Sequence, residues 1–198
     1  MSLLSHYGFL GCFRLVIDKL LTFFTIRNAR IIRHPFDIRG KDKILIGRGF
    51  TTGRYCRLEA YGDTKSPTLI IGIDCQINDS VHIAAGQCVM LGDNVLIASR
   101  VFITDLNHGN YTGDKHSHPD SICRNRELST IPVHIESNVW LGEGVVVLPG
   151  VRIGQSSIIG ANSVVTKNIP EHSIAVGNPA KVIKRFDFTK NEWVRYDC

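Results

Sequence analysis

The chain has 198 residues, enough for one domain with a hydrophobic core, and carries a formal net charge of +5. That charge suits nucleic acid, anionic lipid or a phosphorylated ligand. Because no nucleic-acid motif and no interleaving of aromatic with basic residues occurs, nucleic acid is not an expected partner. The six cysteines show no CxxC pair and no metal-binding spacing, which excludes a disulfide framework and predicts small core residues in a reducing compartment. They are Cys12, Cys56, Cys75, Cys88, Cys123 and Cys198.

Residues 1–40 form an N-terminal helical and basic segment, with an amphipathic helix predicted before about residue 33. One helical face is apolar, and Arg14 and Asp18 lie opposite it. The apolar face comprises Phe9, Leu10, Phe13, Val16, Ile17, Leu20, Leu21 and Phe24. Charges at Arg14, Asp18 and Lys19 interrupt this stretch, so no segment long enough to span a bilayer is predicted. No cationic region precedes it, which argues against a secretory signal peptide.

A basic cluster follows the predicted helix. It consists of Arg27, Arg30, Arg33, Arg39, Lys41, Lys43 and Arg48. The helix has two possible roles at this stage. It can cap one end of the repeat domain that follows, since stacked repeats need a cap. Alternatively, it can lie on an anionic membrane surface, where basic residues add attraction.

A period of six residues dominates the rest of the chain, from a weak start at Ile46 and Leu58. Aliphatic residues recur at Ile71, Ile77 and Ile83, then after a slip of two residues at Leu91, Ile97 and Ile103, and later at Ile135, Leu141, Val147, Ile153, Ile159 and Val165. Four residues after most of them lies a small or β-branched residue: Cys75, Val81, Val95, Val101, Val139, Val145, Val151, Ser157 and Ser163. This period is neither helical nor that of a simple strand.

A six-residue period is typical of the hexapeptide repeat of a parallel β-helix, in which stacked turns bury a continuous core. An ordinary all-β protein with regular strand spacing is the alternative, but chance rarely maintains a period for so long. We therefore predict a β-helix domain over residues 41–184, followed by a C-terminal tail over 185–198.

The repeat stops after Ile103 and resumes near Val133, so a long loop is predicted at about residues 104–132. Loops of this length in compact domains are usually functional or disordered. His108 follows the last strand closely, and a neutral imidazole is a common general base for an alcohol. His116 and His118 lie further out and are expected to be solvated or structural. No acidic or cysteine ligand has a recognised spacing with these histidines, so no metal is expected.

Several stretches between Ile71 and Phe186 resemble the hexapeptide-repeat acyltransferases, which include maltose, galactoside and serine acetyltransferases. They are LGDNVLIAS (91–99), SNVWLGEGVVVLPGVRIG (137–154), IIGANSVVTKNIP (158–170) and GNPAKVIKRF (177–186). The N-terminal helix, INDSVHIAA (77–85) and FITDLNHGNY (102–111) are most similar to O-acetyltransferases of bacterial O-antigen and exopolysaccharide assembly.

The resemblance implies an all-β fold, a left-handed parallel β-helix, in a homotrimer with active sites between subunits. It implies transfer of an acetyl group from acetyl-CoA to a sugar hydroxyl of a surface-polysaccharide precursor, either a sugar or a lipid-linked oligosaccharide. The implied location is cytoplasmic, with peripheral contact at the inner face of the cytoplasmic membrane as a further option.

The resemblance also assigns site residues. His108 falls on the family's general base, and Asn78 matches an asparagine near the acceptor, although a turn role for Asn78 is equally open. Asp105 is a candidate to bind the sugar or to orient His108, a task that a backbone carbonyl could also perform. The residues expected to bind acetyl-CoA are Trp140, Gly142, Ala161, Thr166, Lys167, Lys181 and Lys184.

The sequence departs from galactoside-type relatives in two places. Their acidic residues in the segment corresponding to Ala84–Gly86 are missing, and Glu143 replaces a small residue, so a free galactoside is not the expected acceptor. Serine or an antibiotic is an alternative acceptor. The zinc carbonic anhydrases of the same fold are another reading, but the spacing of the histidines does not match theirs. A non-catalytic solenoid is the remaining alternative.

Overall fold

The computed structural model describes residues 3–62 and 66–196, so Cys198 lies outside the described residues. Helix α1 spans Leu3–Thr25, and single 3₁₀ turns occur at Lys41–Lys43 and Cys123–Asn125. The strands are β1 Phe36–Arg39, β2 Ile44–Ile46, β3 Thr51–Thr52, β4 Cys56–Ala60, β5 Leu69–Ile71, β6 Gln76–Ile77, β7 His82–Ala85, β8 Val89–Leu91, β9 Leu96–Ile97, β10 Phe102–Thr104, β11 Leu106–His108, β12 Leu128–Thr130, β13 Val133–Ile135, β14 Trp140–Leu141, β15 Val146–Val147, β16 Arg152–Ile153, β17 Ile158–Ile159, β18 Val164–Val165, β19 Ser173–Val176, β20 Lys181–Asp187 and β21 Glu192–Arg195.

Most strands stack into three parallel sheets, which form the three faces of a prism. Face A contains β3, β6, β9, β14, β17 and β19, face B contains β1, β4, β7, β10, β15 and β18, and face C contains β2, β5, β8, β13 and β16. Consecutive strands pass from face C to A to B, so three hexads complete one coil. Leu141 accordingly lies beside Ile159, eighteen residues later, in parallel register. The predicted hexapeptide repeat is confirmed.

The residues that define the six-residue period form the core. The aliphatic positions from Ile71 to Val165 and the small positions from Cys75 to Ser163 are each at most 1% exposed. Burial raises the pKa of Cys56 to about 11 and also raises the pKa of Cys75, which keeps both thiols protonated and inert. The buried hydroxyl of Ser157 donates to the Pro170 carbonyl at 2.7 Å, so the core leaves this polar group satisfied.

Close stacking of the coils explains the glycine at position 142. Its φ is not positive, but a Cβ atom there would lie 2.7 Å from the backbone nitrogen of Ala161 on the next coil. Left-handed backbone occurs instead at the corners, just before the small inward residues. Asn94, Asn138 and Asn162 occupy such corners with φ between 56° and 61°, as asparagine tolerates this conformation better than most residues.

Both ends of the solenoid extend beyond the predicted boundaries. Ile31 forms a parallel bridge with Thr51, and β1 pairs with β4, so the solenoid begins before residue 41. At the other end, β20 and β21 add an antiparallel hairpin to face A, so residues 185–195 continue a sheet instead of forming a tail. Neither β1 nor the hairpin carries the hexad pattern, which is why the period did not reveal them.

Helix α1 ends at Thr25, earlier than predicted, and its polar side faces the solenoid. Asp18 and Thr22 are the buried residues of the helix. Asp18 accepts hydrogen bonds from the Arg54 guanidinium at 2.7 Å and from the His34 backbone at 3.0 Å, and Thr22 accepts one from the Ile32 backbone at 2.8 Å. Within the described ranges, no helix is long and apolar enough to cross a membrane.

Candidate active site

The predicted loop leaves face B after β10 and begins and ends as an antiparallel hairpin of β11 and β12. His108 is the last residue of β11 and pairs with Leu128. The hairpin and the outer side of face B enclose a cavity of about 520 Å³. Its lining residues are Tyr61, Ala84, Phe102, Thr104, Leu106, Asn107, His108, Leu128 and Leu148. The hairpin therefore places the predicted base in a largely apolar cleft.

The imidazole of His108 is exposed and forms no hydrogen bond with any residue in the described ranges. Its backbone is well held, because the Tyr111 hydroxyl donates to the His108 carbonyl at 2.5 Å and the hairpin fixes the strand. A ring that is positioned through its backbone and has both nitrogens available can accept a proton from a ligand hydroxyl.

Asp105 makes contacts that the sequence did not predict. It is fully buried, and its carboxylate accepts hydrogen bonds from the backbone N–H groups of Gly86, Gln87 and Cys88 at 2.7–2.8 Å. Both oxygens accept from these donors, and Asp105 is not among the residues that line the His108 cavity. These contacts give Asp105 a structural role, since they anchor the base of the hairpin to the solenoid.

The anchor coincides with the two-residue slip in the repeat. The extra residues lie between β7 and β8, and the resulting turn directs three amides at one carboxylate, a common anion-binding arrangement. The turn is tightly packed, since a Cβ atom on Gly86 would approach Leu106 within 2.3 Å. The irregularity in the sequence thus holds the β11–β12 hairpin in place.

Asn78 lies at the corner after β6, away from His108. It lines a second cavity of about 440 Å³ together with α1 residues Gly11, Arg14 and Leu15. The Asn78 side-chain oxygen accepts a hydrogen bond from Gln76 at 3.2 Å. One chain therefore does not bring Asn78 and His108 into the same cavity.

Several residues expected to bind acetyl-CoA share one side of the molecule. Trp140 is 47% exposed on face A, and residues directly opposite in a sheet share a face. The register runs from Trp140 through Ile158 and Ile174 to Lys184, so Trp140 and Lys184 lie on the same surface, about 14 Å apart. This surface therefore carries an aromatic ring at one end and a positive charge at the other, an arrangement that suits a long phosphorylated ligand.

The other expected residues divide between two corners. Gly142 and Ala161 stack at the corner between faces A and B, close to Trp140, and Lys181 begins β20 opposite Val176. Thr166 and Lys167 follow β18 and lie at the corner between faces B and C. One side of a single chain therefore carries five of the seven residues. They are Trp140, Gly142, Ala161, Lys181 and Lys184.

A buried carboxylate that the sequence did not predict lies beside the His108 cleft. Glu59 is opposite Ala84 in the parallel pair of β4 and β7. Its oxygens accept hydrogen bonds from Arg39 at 2.7 Å and His82 at 2.7 Å. Because Arg57 donates to Nδ1 of His82 at 3.3 Å, this ring holds its proton on Nε2. No motif signals the cluster, since Glu59 and His82 are 23 residues apart.

The cluster keeps Glu59 ionised. Burial alone would raise its pKa, but the hydrogen bond from His82, the charge of Arg57 and the hydrogen bond from Tyr61 together lower the pKa below its ordinary value. Tyr61 also lines the His108 cavity. The cluster therefore forms a rigid polar wall at one end of the cleft.

A carboxylate with a lowered pKa stabilises the folded state above its unfolded pKa, and this contribution is lost as the pH falls through the folded pKa. We expect Glu59→Gln to lower the melting temperature at pH 6 and to have a smaller effect near pH 3. Thermal unfolding followed by circular dichroism at both pH values tests this. Asp37→Asn, which changes the exposed second partner of Arg39, is the matched control. An equal effect of Glu59→Gln at both pH values would contradict the assignment.

The outer histidines lie apart from the cleft. His116 pairs with the Gly113 carbonyl at 2.8 Å, and His118 is a solvated residue 3.6 Å from Asp120. Across residues 3–62 and 66–196, no three His, Cys, Asp or Glu side chains are grouped to hold a metal ion.

The fold and the cleft define a class of protein. The bacterial transferase hexapeptide family (six repeats) matches residues 132–167. The chain is 44% identical over 194 residues to the lipopolysaccharide biosynthesis O-acetyl transferase WbbJ of Escherichia coli K12, covering 98% of this chain and 97% of that protein. It is 33% identical to the galactoside O-acetyltransferase of the same strain, over 78% of this chain and 72% of that one.

A solved structure of galactoside acetyltransferase in complex with coenzyme A superimposes with a TM-score of 0.53 at 26% identity, covering 94% of this chain and 87% of that one. The chain belongs to the hexapeptide-repeat acyltransferases. The predicted left-handed parallel β-helix, with its N-terminal helix and extruded loop, is confirmed.

Proposed function

We propose that this acyltransferase moves an acetyl group from acetyl-CoA to a sugar hydroxyl of a surface-polysaccharide precursor. The imidazole of His108 carries this proposal, since it is exposed in the cleft under the hairpin and has no hydrogen-bond partner among the residues that the structure describes. The similarity to a protein named for lipopolysaccharide O-acetyl transfer, over 98% of the chain, supports the acceptor class. The free cysteines suit the cytoplasmic side, where thiols stay reduced.

The proposed reaction is direct attack with general-base help. An imidazole nitrogen of His108 takes the proton of the acceptor hydroxyl while that oxygen attacks the thioester carbonyl. The C–S bond then breaks, and the imidazolium returns the proton to the departing thiolate. Holding both substrates in one cleft removes much of the entropic barrier, and the apolar walls made by Phe102, Leu106 and Leu128 strengthen hydrogen bonds to the developing charge.

The residues of face A fit acetyl-CoA. The exposed Trp140 ring offers an apolar surface to the pantetheine arm, and Gly142 and Ala161 leave the adjacent corner free of bulky side chains. Lys184, on the same outer surface, and Lys181 supply positive charge for the phosphates, as point charges and not as bidentate partners. Thr166 and Lys167, at the next corner, remain proposed ligands from the resemblance.

We further propose a homotrimer with shared active sites. His108 and Asn78 line different cavities of one chain. Packing of neighbouring subunits would allow Asn78 of one chain to face His108 of the next. In that arrangement the Asn78 amide meets the acceptor or the developing charge, and Thr166 and Lys167 meet the cofactor from the second chain.

Replacing both Lys181 and Lys184 with glutamine tests the acetyl-CoA surface. We expect the KM for acetyl-CoA to rise roughly tenfold, because each exposed charge pair is worth up to about 1 kcal/mol, while the KM for the acceptor stays constant. Lys190→Gln changes another exposed lysine, in the turn between β20 and β21, and serves as the control. Equal effects in the two variants would remove these lysines from the cofactor site.

An acceptor panel tests the proposed function itself. Thiol release from acetyl-CoA should require a lipid-linked or nucleotide-linked glycan, and mass spectrometry should show one acetyl group added to it. Free galactoside should be a poor acceptor, since the Glu59 carboxylate beside the cleft is already bound by Arg39 and His82. Acetylation of serine with none of any glycan would assign the enzyme to small-molecule acceptors instead.

A further inference from the structure

Helix α1 is held with its apolar side outward. Asp18 and Thr22 face the solenoid, where Arg54, His34 and Ile32 bind them. These contacts fix the rotation of the helix, because the only acidic residue in Leu3–Thr25 is committed to a nearly buried ion pair. The opposite side of α1 therefore remains exposed.

Six residues on the outward side form what we call the apolar stripe. They are Phe9, Leu10, Phe13, Val16, Leu20 and Phe24, and each is between 59% and 80% exposed. From first to last the stripe extends about 22 Å along the helix. Exposed apolar surface of this extent marks an interaction site.

Positive charge accompanies the stripe. Between Leu3 and Phe36 the chain has five basic residues, Arg14, Lys19, Arg27, Arg30 and Arg33, and Asp18 is the only acidic one. Arg30 is paired with Asp74 at 2.8 Å, so the other four supply the charge. Arg14 and Lys19 lie on either side of the stripe by helical geometry. At its end, the Arg27 guanidinium lies 5.4 Å from the Phe23 ring centre.

We propose that α1 lies in the plane of an anionic membrane, with the apolar stripe in the boundary between head groups and acyl chains. An apolar helix face bordered by lysine and arginine is the pattern of interfacial helices, and anionic head groups attract such borders. Symmetric pairing of two copies through this stripe would instead place identical cations side by side. Charge complementarity therefore favours lipid over a second copy.

The position of α1 connects this membrane contact to the acceptor site. Gly11 and Leu15, on the solenoid side of the helix, line the cavity that contains Asn78. A bilayer under the stripe would lie beside that cavity, where it could present a lipid-linked acceptor. The membrane contact itself does not depend on the proposed acetyl transfer, and it is measured without substrate.

Sedimentation of the full chain with vesicles tests the proposal. We expect binding to vesicles of phosphatidylcholine and phosphatidylglycerol in equal parts, weaker binding at high salt, and little binding to phosphatidylcholine alone. The double variant Phe13→Glu with Leu20→Glu should bind roughly tenfold more weakly or less, and Arg27→Gln roughly fivefold more weakly. Ile122→Glu and Lys190→Gln, which change exposed residues outside α1, should bind as the wild type does.

Light scattering after gel filtration and circular dichroism check that the variants keep their oligomeric state and fold. Absence of binding to anionic vesicles by the folded wild type would overturn the proposal. Unchanged vesicle binding by the double variant would also overturn it. If that variant loses its oligomeric state while vesicle binding persists, the stripe is a subunit interface.

Discussion

The variant His108→Ala is expected to lower kcat for acetyl transfer by about 10²–10⁴-fold, the usual contribution of a general base. Its affinity for acetyl-CoA and its melting temperature should stay close to wild type, because the imidazole is exposed and makes no hydrogen bond within the described residues. Thiol release under saturating acceptor measures kcat, and thermal unfolding measures stability.

The matched controls for His108 lie in the same loop, at about residues 104–132. His116→Ala removes an imidazole that contacts loop backbone, and His118→Ala removes an exposed one beside Asp120, so both should retain nearly full kcat. A loss of activity shared equally by the three variants would indicate a general effect on the loop. Full activity of His108→Ala would eliminate this residue as the base.

The second large effect is expected at Asp105. Asp105→Ala should destabilise the fold by about 3 kcal/mol, because three backbone N–H groups lose a charged acceptor and hydrogen bonds to charged groups contribute about 1.5–3 kcal/mol each. Partial hydration of the exposed turn at Gln87 limits the loss. Chemical denaturation followed by circular dichroism measures the free energy of unfolding.

Asp105→Asn separates positioning from stability. Its amide keeps the shape but turns an NH₂ group toward backbone donors, so kcat should fall while the KM for acetyl-CoA stays constant, because the hairpin holding His108 loosens and face A does not. Asp114 is an exposed aspartate of the same loop, and Asp114→Ala should change the free energy of unfolding by less than about 0.5 kcal/mol. If Asp105→Asn raised the acceptor KM alone, substrate binding by Asp105 would regain support.

The sequence predicted the solenoid well because the six-residue period can be recognised within short stretches of the chain. Each hexad places an aliphatic residue inward, so a period read along the chain gives the buried positions directly, and those from Ile71 to Val165 are at most 1% exposed. The loop after β10 and the location of His108 followed from the same period, since the chain must leave the solenoid where the repeat is interrupted.

The parts that the sequence did not predict depend on contacts between distant residues. The period showed a slip of two residues, but not that three amides of that turn converge on Asp105. Helical spacing grouped the apolar residues of α1, but the outward direction is set by Arg54, which is 36 residues from Asp18. The Glu59 cluster likewise requires the length of a whole coil to bring His82 beside it.

Calorimetric titration of acetyl-CoA into the wild type and His108→Ala tests the central claim most directly. We expect both to bind with similar affinity, because Trp140 and Lys184 lie on face A and the proposed role of His108 is toward the acceptor. Only the wild type should then release thiol at an appreciable rate when the glycan is added. A folded wild type that binds no acetyl-CoA would contradict the proposed acetyl transfer.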